Sequence, residues 1–436
     1  MSYKSVLANT ANAKLRAPTL GLACVVAMAA TAGPAVADEL TFQTFIPVPA
    51  DAANMQPGGA FSSFDISFAD PVTGNIFVAD RSNASVDIFS GSGLQFLGRA
   101  TGFTGQQATN SLSGADGVLT VTSGGVTTLY AGDGDSTLKV FNATNPATPT
   151  LVSSISTGGN FRLDEMAYSP VTHQVLAANN ADAPAYAALF STTNGHPPVA
   201  VTAGPITVPI LQGGIAAGGM EQPAWNPTTG TFFVSIPALA GKNNPGGVSE
   251  ISTAGTVLRT IDFASLGITS CSPTGLAVGG GGNMMVGCGN VGTQAILLNS
   301  KGELVKTIPG LGGTDELWYD PTTKKFYVTG NNGTNGTRFF DVVSEDGTVL
   351  QTVMLPATTS AHSITVDPFN GDVFVPLAGT SALNPCPASF ANPGCIAVFG
   401  PAAVPGPIVG AGLPGLLAAC CGLLALARRR RRQRTV

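Results

Sequence analysis

The stretch Asp65-Ile-Ser-Phe-Ala-Asp70-Pro-Val-Thr-Gly-Asn-Ile-Phe-Val-Ala-Asp80 decides the fold, because its plan recurs along the chain. It reads as a strand, a turn that opens with Asp-Pro, and a second strand of aromatic and β-branched residues. Four further copies keep this plan, each with Asp, Asn or Ser before the proline. They lie at residues 164–177, 221–234, 315–330 and 362–375.

The turn residues of these copies have a physical role. Asp, Asn or Ser accepts hydrogen bonds from the following backbone, proline presets its own φ, and a late glycine takes positive φ. Three of the five turns end in glycine, whereas the other two have His173 and Lys324 there. Short β-branched runs alternate with Gly, Asn, Asp and Pro turns, and no helical period is present. The pattern predicts an all-β domain.

The number of copies predicts the architecture. Two weaker copies, at residues 113–130 and 272–286, fill the gaps between the five clear ones. Most copies are followed by two more short strands, so each unit holds four antiparallel strands over roughly 43 to 57 residues. We therefore predict a seven-bladed β-propeller, with blades that begin near residues 61, 113, 162, 219, 271, 314 and 361. Six blades are the alternative, because the second and fifth copies are weak.

The two ends of the domain complement each other. The last unit ends at residues 396–399 without an outer strand, and residues 40–48 form an orphan strand that can supply it. Pairing them closes the ring and leaves no open edge. Over residues 40–400 the repeat resembles the YVTN/NHL-type propellers, a superfamily of bacterial surface and periplasmic proteins. The resemblance implies the fold, and leaves the function open because propellers include both binding modules and enzymes.

The first 37 residues have the pattern of an export signal peptide. A basic start precedes a short apolar core at residues 20–32, and residues 35–37, Ala-Val-Ala, suit a signal peptidase. We expect cleavage after Ala37; the alternative is an uncleaved anchor, although the apolar run is shorter than the ~20 residues of a membrane span. The propeller domain is then 38–400. The basic residues of the signal peptide, which precede its apolar core, are Lys4, Lys14 and Arg16.

The last residues have the pattern of a membrane anchor. Residues 408–427 are almost uninterruptedly apolar, and five consecutive arginines follow at 428–432. About 20 apolar residues can cross a bilayer, and arginine clusters lie on the cytoplasmic side. We expect a transmembrane helix at 408–427 and a basic cytoplasmic tail at 428–436. The propeller would then lie on the periplasmic or cell-surface side of the membrane, or be secreted.

A linker at residues 401–407 precedes the expected helix and contains Pro405-Gly406-Pro407. Together with the helix and the arginine block, it resembles the PEP-CTERM class of bacterial sorting signals, with Gly406 where the class has Glu. The resemblance covers residues 404–436. It implies recognition by an exosortase-type transpeptidase and sorting to the envelope or surface, and it leaves open whether the tail is cleaved.

Charge excludes one class of partner. Three of the 20 basic residues lie in the signal and six in the tail, and neither segment has an acid. Residues 38–400 therefore carry 11 basic against 25 acidic residues, a net charge of −14. Because nucleic-acid binding needs a basic surface, we expect no nucleic-acid partner.

Four cysteines remain in the predicted propeller, an even number that suggests disulfides in an oxidising compartment. Three pairings are possible. We favour Cys271–Cys288, across the ends of a predicted hairpin, and Cys386–Cys395, which closes a short loop. No C-x-x-C pair is present, so we do not expect these cysteines to bind a metal.

Ionisable residues recur at the start of the first strand of each unit, five residues before the turn. In a propeller this strand lines the central channel, so equivalent positions form a ring. Crowded carboxylates repel unless protons, bases or a cation neutralise them, and Ca²⁺ prefers such oxygen ligands. The ring is a candidate Ca²⁺ site; alternatively, its side chains cap the inner strands. Its members are Asp65, Asp164, Glu221, Asp315 and His362, with Glu165 and Glu316 following two of them.

This reading leaves a favoured function and two alternatives. The sequence has no nucleophile turn such as G-x-S-x-G and no phosphate-binding loop, which favours a non-catalytic module that binds an envelope or extracellular protein or polysaccharide. The alternative is an extracytoplasmic Ca²⁺-dependent lactonase or hydrolase. The ring is similar in position to that of calcium-dependent gluconolactonase-type propellers, without a shared motif. A self-associating surface-layer element is a third possibility.

Overall fold

The structure is a computed structural model that describes residues 39–193, 196–200, 219–239, 245–331 and 338–402, with Leu423, Leu426 and 428–430. The predicted signal peptide, and residues 408–427 apart from these two leucines, lie outside this part. Within it, no helix is both long and apolar enough to span a bilayer.

In the described residues, 28 strands form seven antiparallel sheets of four strands each, which confirms the seven-bladed prediction over the six-bladed one. Four short 3₁₀ turns connect some of them. The strands up to the third blade are β1 (Leu40–Pro47), β2 (Ser67–Ala69), β3 (Asn75–Asp80), β4 (Ser85–Ser90), β5 (Gln95–Thr101), β6 (Val118–Ser123), β7 (Val126–Gly132), β8 (Thr137–Asn142), β9 (Thr150–Ser156), β10 (Met166–Ser169), β11 (Gln174–Asn179), β12 (Tyr186–Thr193) and β13 (His196–Ala200).

The remaining blades repeat the same order from the inner to the outer strand. Their strands are β14 (Pro223–Asn226), β15 (Thr231–Ile236), β16 (Gly247–Ile251), β17 (Val257–Asp262), β18 (Pro273–Val278), β19 (Met284–Cys288), β20 (Gln294–Leu298), β21 (Leu304–Pro309), β22 (Leu317–Asp320), β23 (Lys325–Asn331), β24 (Arg338–Ser344), β25 (Val349–Met354), β26 (Thr365–Val366), β27 (Val373–Leu377) and β28 (Cys395–Pro401).

The first strand closes the ring, as predicted. β1 pairs antiparallel with β28 from Leu40 opposite Pro401 to Pro47 opposite Cys395. The seventh blade therefore has the order β1-β28-β27-β26, and β1 is its outer strand. One blade is built from both ends of the domain, so the edge of β28 is covered.

Apolar side chains hold neighbouring blades together. In the described residues, seven buried clusters fill the seven interfaces between blades. At the interface of blades seven and one, Ile46 and Phe374 pack with Phe61 and Ile76. Burial of each such side chain stabilises the fold by about 1.5–3 kcal/mol, and these contacts, rather than helical supports, hold the ring.

The predicted turn chemistry accounts for the inner hairpins. Asp70 Oδ1 accepts hydrogen bonds from the backbone nitrogens of Val72 at 3.0 Å and Thr73 at 2.7 Å. Gly74 ends that turn with φ of +69°. His173 and Lys324, which replace the glycine in two blades, have φ of +54° and +56°, a left-handed conformation that is strained for residues with a Cβ atom.

Both predicted disulfides are present. Cys271 lies two residues before β18, and its disulfide joins it to Cys288 at the end of β19. Cys386–Cys395 closes the loop that leads into β28. All four cysteines are buried. Each bridge closes a short loop within one blade, so it stabilises that blade rather than linking blades to each other.

Lys324→Gly should stabilise the protein. Left-handed backbone costs a non-glycine residue roughly 1–2 kcal/mol. The greater chain entropy of glycine offsets about 0.5–1 kcal/mol of that gain. We expect the free energy of unfolding, measured by chemical denaturation, to rise by about 0.5–1 kcal/mol. Lys325→Gly, one residue later in β23, is the control and should lower it; an equal loss in both variants would contradict the argument.

Candidate functional site

The ring of ionisable residues lies at the start of the inner strands, as the repeat predicts. The backbone N–H of Asp65 donates to Ala79 O at 2.9 Å, and that of Asp164 donates to Ala178 O at 2.8 Å. Asp116 N makes the same bond to Gly132 O at 3.0 Å. Asp116 is therefore the ring residue of the second blade, which the sequence analysis missed.

Arg81 neutralises one arc of the ring. Its Nη2 lies 2.9 Å from Asp65 Oδ2 and also contacts Asp116, whose Oδ1 accepts from Arg81 Nε at 2.7 Å. All three residues are buried. Burial favours a neutral Asp65, but the positive charges of Arg81 and Arg162 outweigh it and lower the pKa of this carboxyl. Asp65 and Asp116 are therefore both ion-paired with Arg81, which takes the place that a metal cation would have beside them.

Arg162 occupies the next arc. Its Nη2 lies 2.7 Å from Asp164 Oδ2, and both residues are buried. Burial raises the pKa of Asp164 well above its usual range, and the nearby Asp65 and Glu221 raise it further. The positive charge of Arg162 opposes this shift. Asp164 is thus engaged by an arginine and is not free to coordinate a metal.

His362 belongs to the packing of the seventh blade. Its ring stacks on Phe64 with centroids 4.4 Å apart, and its Nδ1 lies 2.6 Å from Ser360 Oγ. Burial lowers the pKa of His362, although Asp315 and Asp65 favour its charged form. Its Nε2 is 3.9 Å from Asp65 Oδ1 and 4.0 Å from Asp315 Oδ2. Burial therefore favours the neutral imidazole.

The position after the ring residue bridges blades across the channel. Gln222 Oε1 accepts from the backbone nitrogens of Leu276 at 2.6 Å and Leu317 at 3.1 Å. Glu316 Oε2 accepts from Ser67 N at 3.4 Å and also from Ser363 Oγ. Burial raises the pKa of Glu316 well above its usual range. These two side chains therefore satisfy polar groups of the inner strands.

In the described residues, three carboxylates at this end of the channel have neither an arginine contact nor a hydrogen bond to an inner strand. One ligand oxygen from each of Glu165, Glu221 and Asp315 lies within 4.8 Å of the others. Glu165 is buried, with Oε2 lacking a hydrogen-bond partner, while the other two are partly exposed. Burial raises the pKa of Glu165 well above its usual range, and burial together with Asp315 raises the pKa of Glu221 to about 8.

This arrangement fits an oxygen-coordinated cation. Two oxygens on opposite sides of a Ca²⁺ ion, each at about 2.4 Å, are about 4.8 Å apart. Glu165, Glu221 and Asp315 meet this limit, and the orphaned Glu165 Oε2 supplies a buried acceptor. Of the seven predicted ligands, these three are the ones whose oxygens lie this close together in the described residues. Asp65, Asp164, Glu316 and His362 have other partners.

A cavity of about 460 Å³ runs along the inner strands. At the ring end it is lined by Glu165, Gln222 and Glu316, and at the turn end by Pro71 and Pro170. Between these ends its walls are mostly apolar. They include Ile66, Phe68, Val118, Leu119, Val121, Met166, Tyr168 and Trp318. The channel therefore combines an acidic end with an apolar interior.

Comparison with known proteins supports the fold only. No protein-family model and no curated protein matches the sequence. A chain of “Crystal Structure of Mitotic Checkpoint Complex” aligns over 91% of this chain and 98% of its own length, with 13% identity and a TM-score of 0.51. “Crystal structure of Chaetomium thermophilum Raptor” aligns over 83% of this chain, with 11% identity and a TM-score of 0.54. This chain covers 29% of the Raptor chain. At such identities the likeness shows a shared propeller architecture alone.

Stability should fall as the pH rises from the ordinary range of a glutamate towards pH 8. The folded protein holds the Glu221 proton up to about pH 8, whereas the unfolded chain releases it earlier. In that window the folded state binds more protons, so raising the pH favours unfolding, by at most about 1.4 kcal/mol per pH unit. Glu221→Gln should flatten this slope in denaturation measured from pH 5 to 8.5. Exposed Glu303→Gln should leave it unchanged; equal slopes in all three proteins would contradict the assignment.

Proposed function

We propose that the protein is an exported propeller of the cell envelope that acts as a non-catalytic binding module, with the acidic end of its channel as the binding site. One observation carries this proposal. Seven carboxyl groups surround the channel end, and Arg81 and Arg162 are the only arginine or lysine side chains that form ion pairs with them in the described residues. A buried acidic excess of this kind favours a cationic partner or a cation-bridged ligand.

The proposed domain plan has five parts. A signal peptide at 1–37 precedes the propeller at 38–400, a linker at 401–407, a membrane helix at 408–427 and a basic tail at 428–436. The apolar segments and the terminal arginines support this plan. The two disulfides are consistent with folding outside a reducing cytoplasm.

We further propose a YVTN/NHL-type repeat and PEP-CTERM-like sorting. The Asp-Pro hairpins support the first proposal, and Pro405-Gly406-Pro407 before the apolar stretch supports the second. The partner would be an envelope or extracellular protein or polysaccharide, and a sorting transpeptidase would act on the linker. The acidic propeller gives no support for a nucleic-acid partner.

Calcium should stabilise the protein through Glu165, Glu221 and Asp315. Extracellular sites typically have Kd near 10⁻⁴–10⁻³ M. At 10 mM Ca²⁺ a Kd of about 0.1 mM would add about 2.7 kcal/mol to the free energy of unfolding. Calorimetric titration and melting of the full chain measure this.

Asp315→Asn is the informative variant, because Asp315 is 41% exposed and its replacement should not impair folding. It should abolish the Ca²⁺-induced shift. Asp135→Asn, on the exposed turn between β7 and β8, is the matched control and should keep it. If the unmodified chain shows no shift at 10 mM Ca²⁺, the cation site is discarded, while binding of an organic or protein partner is still open to its own test.

The second candidate function is a Ca²⁺-dependent lactonase or hydrolase. It is favoured by the same three carboxylates, since a Ca²⁺ ion held there would polarise a carbonyl oxygen of a substrate. Lactone hydrolysis that depends on Ca²⁺ and is lost in Asp315→Asn would replace the binding function. Calcium binding without turnover on a lactone panel would reject the hydrolase.

Export makes a separate prediction about the mature chain. Isolated from a bacterial host, it should begin at Asp38, because the small residues before it suit signal peptidase. Intact-mass measurement of the membrane and secreted fractions tests this. A mass that also lacks the residues after the linker would indicate transpeptidase processing. A mass that retains residues 1–37 in a cytoplasmic fraction would contradict export.

A further inference from the structure

The channel cavity has the size and the lining of a small-molecule site. Ligand sites typically measure about 300–1,000 Å³ and are mostly apolar with a few convergent polar groups. This cavity measures about 460 Å³ and is lined by residues of five blades, so it belongs to the ring as a whole. Phe68 and Trp318 stand edge to face in its wall, with ring centroids 5.3 Å apart.

The turn end of the channel is an apolar entrance. The residue after the turn proline is Val72 in the first blade, Val171 in the third and Phe369 in the seventh. These side chains are 56%, 73% and 67% exposed. Val72 also lines the cavity, so this exposed apolar side chain reaches from the surface to the interior. Exposed apolar groups gathered at one opening are typical of a binding surface.

The opposite end offers a buried acceptor without a partner among the polar side chains that line it. The oxygens of Gln222 and Glu316 that accept hydrogen bonds serve inner-strand backbone groups and Ser363. Glu165 is 4% exposed, and its Oε2 has no hydrogen-bond partner. A buried acceptor without a partner is costly, so a ligand that reaches it should present a donor.

We propose that the channel binds an apolar small molecule that carries a primary amine, with the hydrocarbon part against Phe68, Val121 and Trp318 and the ammonium group at Glu165. This inference deepens the proposed binding function and rests on it. It assigns the ligand class to the apolar interior, and the ammonium group would take the place of a metal ion at the Glu165 side of the carboxylate cluster.

Charge selects an amine over other donors. Glu221 and Asp315 stand beside Glu165, and none of the three contacts an arginine in the described part of the chain. An ammonium group would neutralise this excess, whereas a hydroxyl group would only fill the hydrogen bond. A carboxylate would be repelled. Aromatic faces in the wall add favourable cation–π contacts along the path of the amine.

The two tryptophans make the test direct. Trp318 lines the cavity, while Trp225 packs in the cluster between blades three and four. In the full chain with Trp225→Phe, the fluorescence of Trp318 reports occupancy. n-Octylamine should change it saturably, n-octanol should bind about tenfold more weakly, and n-octanoate weaker still.

Two variants separate the amine from the cavity. Glu165→Gln should weaken n-octylamine about tenfold and leave n-octanol unchanged, because only the charge-assisted bond is lost. Val121→Phe should weaken all three probes by filling space, with its melting checked to confirm folding. Exposed Glu303→Gln should change nothing.

Three results would overturn the inference: no saturable response to any probe, equal affinity for amine and alcohol, or unchanged amine binding in Glu165→Gln. A Ca²⁺ response that depends on Asp315, found without any probe binding, would reject this inference and leave the cation-binding function standing. The two proposals therefore fail separately.

Discussion

The pairing of β1 with β28 is the constraint on which the rest of the structure depends. Each blade buries one face against the next, so a linear array would leave two apolar faces and an unpaired edge. The strand at the start of the domain completes the last blade and joins it to the first through the cluster that contains Ile46 and Phe61. All seven interfaces are then internal, and the inner strands surround one channel.

That closure explains why the acidic groups meet. Residues far apart in sequence occupy the same position at the start of successive inner strands, so a carboxyl repeated in the sequence becomes a ring in space. The ring is not uniform. Arg81 and Arg162 neutralise the arc of the first three blades, and the arc of Glu165, Glu221 and Asp315 keeps its excess. Buried charges of one sign are stable only with protons or a partner of opposite charge. For this reason burial and the neighbouring carboxylates raise the pKa values of Glu165 and Glu221.

The fold was predictable from the sequence because it is encoded locally. A turn with Asp, Asn or Ser before proline marks each clear blade, the orphan strand Leu40–Pro47 indicates closure, and both disulfides follow from short separations. Five ring positions followed from the same register. Asp116 escaped because its hairpin turn, Ser123-Gly124-Gly125, lacks the proline that fixed the register elsewhere.

The sequence could not predict which carboxylates of the ring are paired with an arginine. Arg81 follows the second strand of its blade and Arg162 precedes the first strand of another, so neither belongs to the repeated plan. Which carboxylates they contact depends on how the blades face each other across the channel. The apolar interior was equally hidden, because alternating inner-strand residues look the same in sequence whether they face the channel or a neighbouring blade. Only the assembled ring distinguishes Phe68 and Trp318 from ordinary core residues.

Closure by two distant strands also determines when the domain can fold. A nascent chain that has exposed β1 through β27 has made most of its blades, yet the partner of its first strand is still inside the ribosome. The ring stays open until the last strand of the domain has emerged, and contacts of such long sequence separation form slowly. Emergence of β28 is therefore the event that allows the native topology, and until then the chain is an incomplete series of sheets.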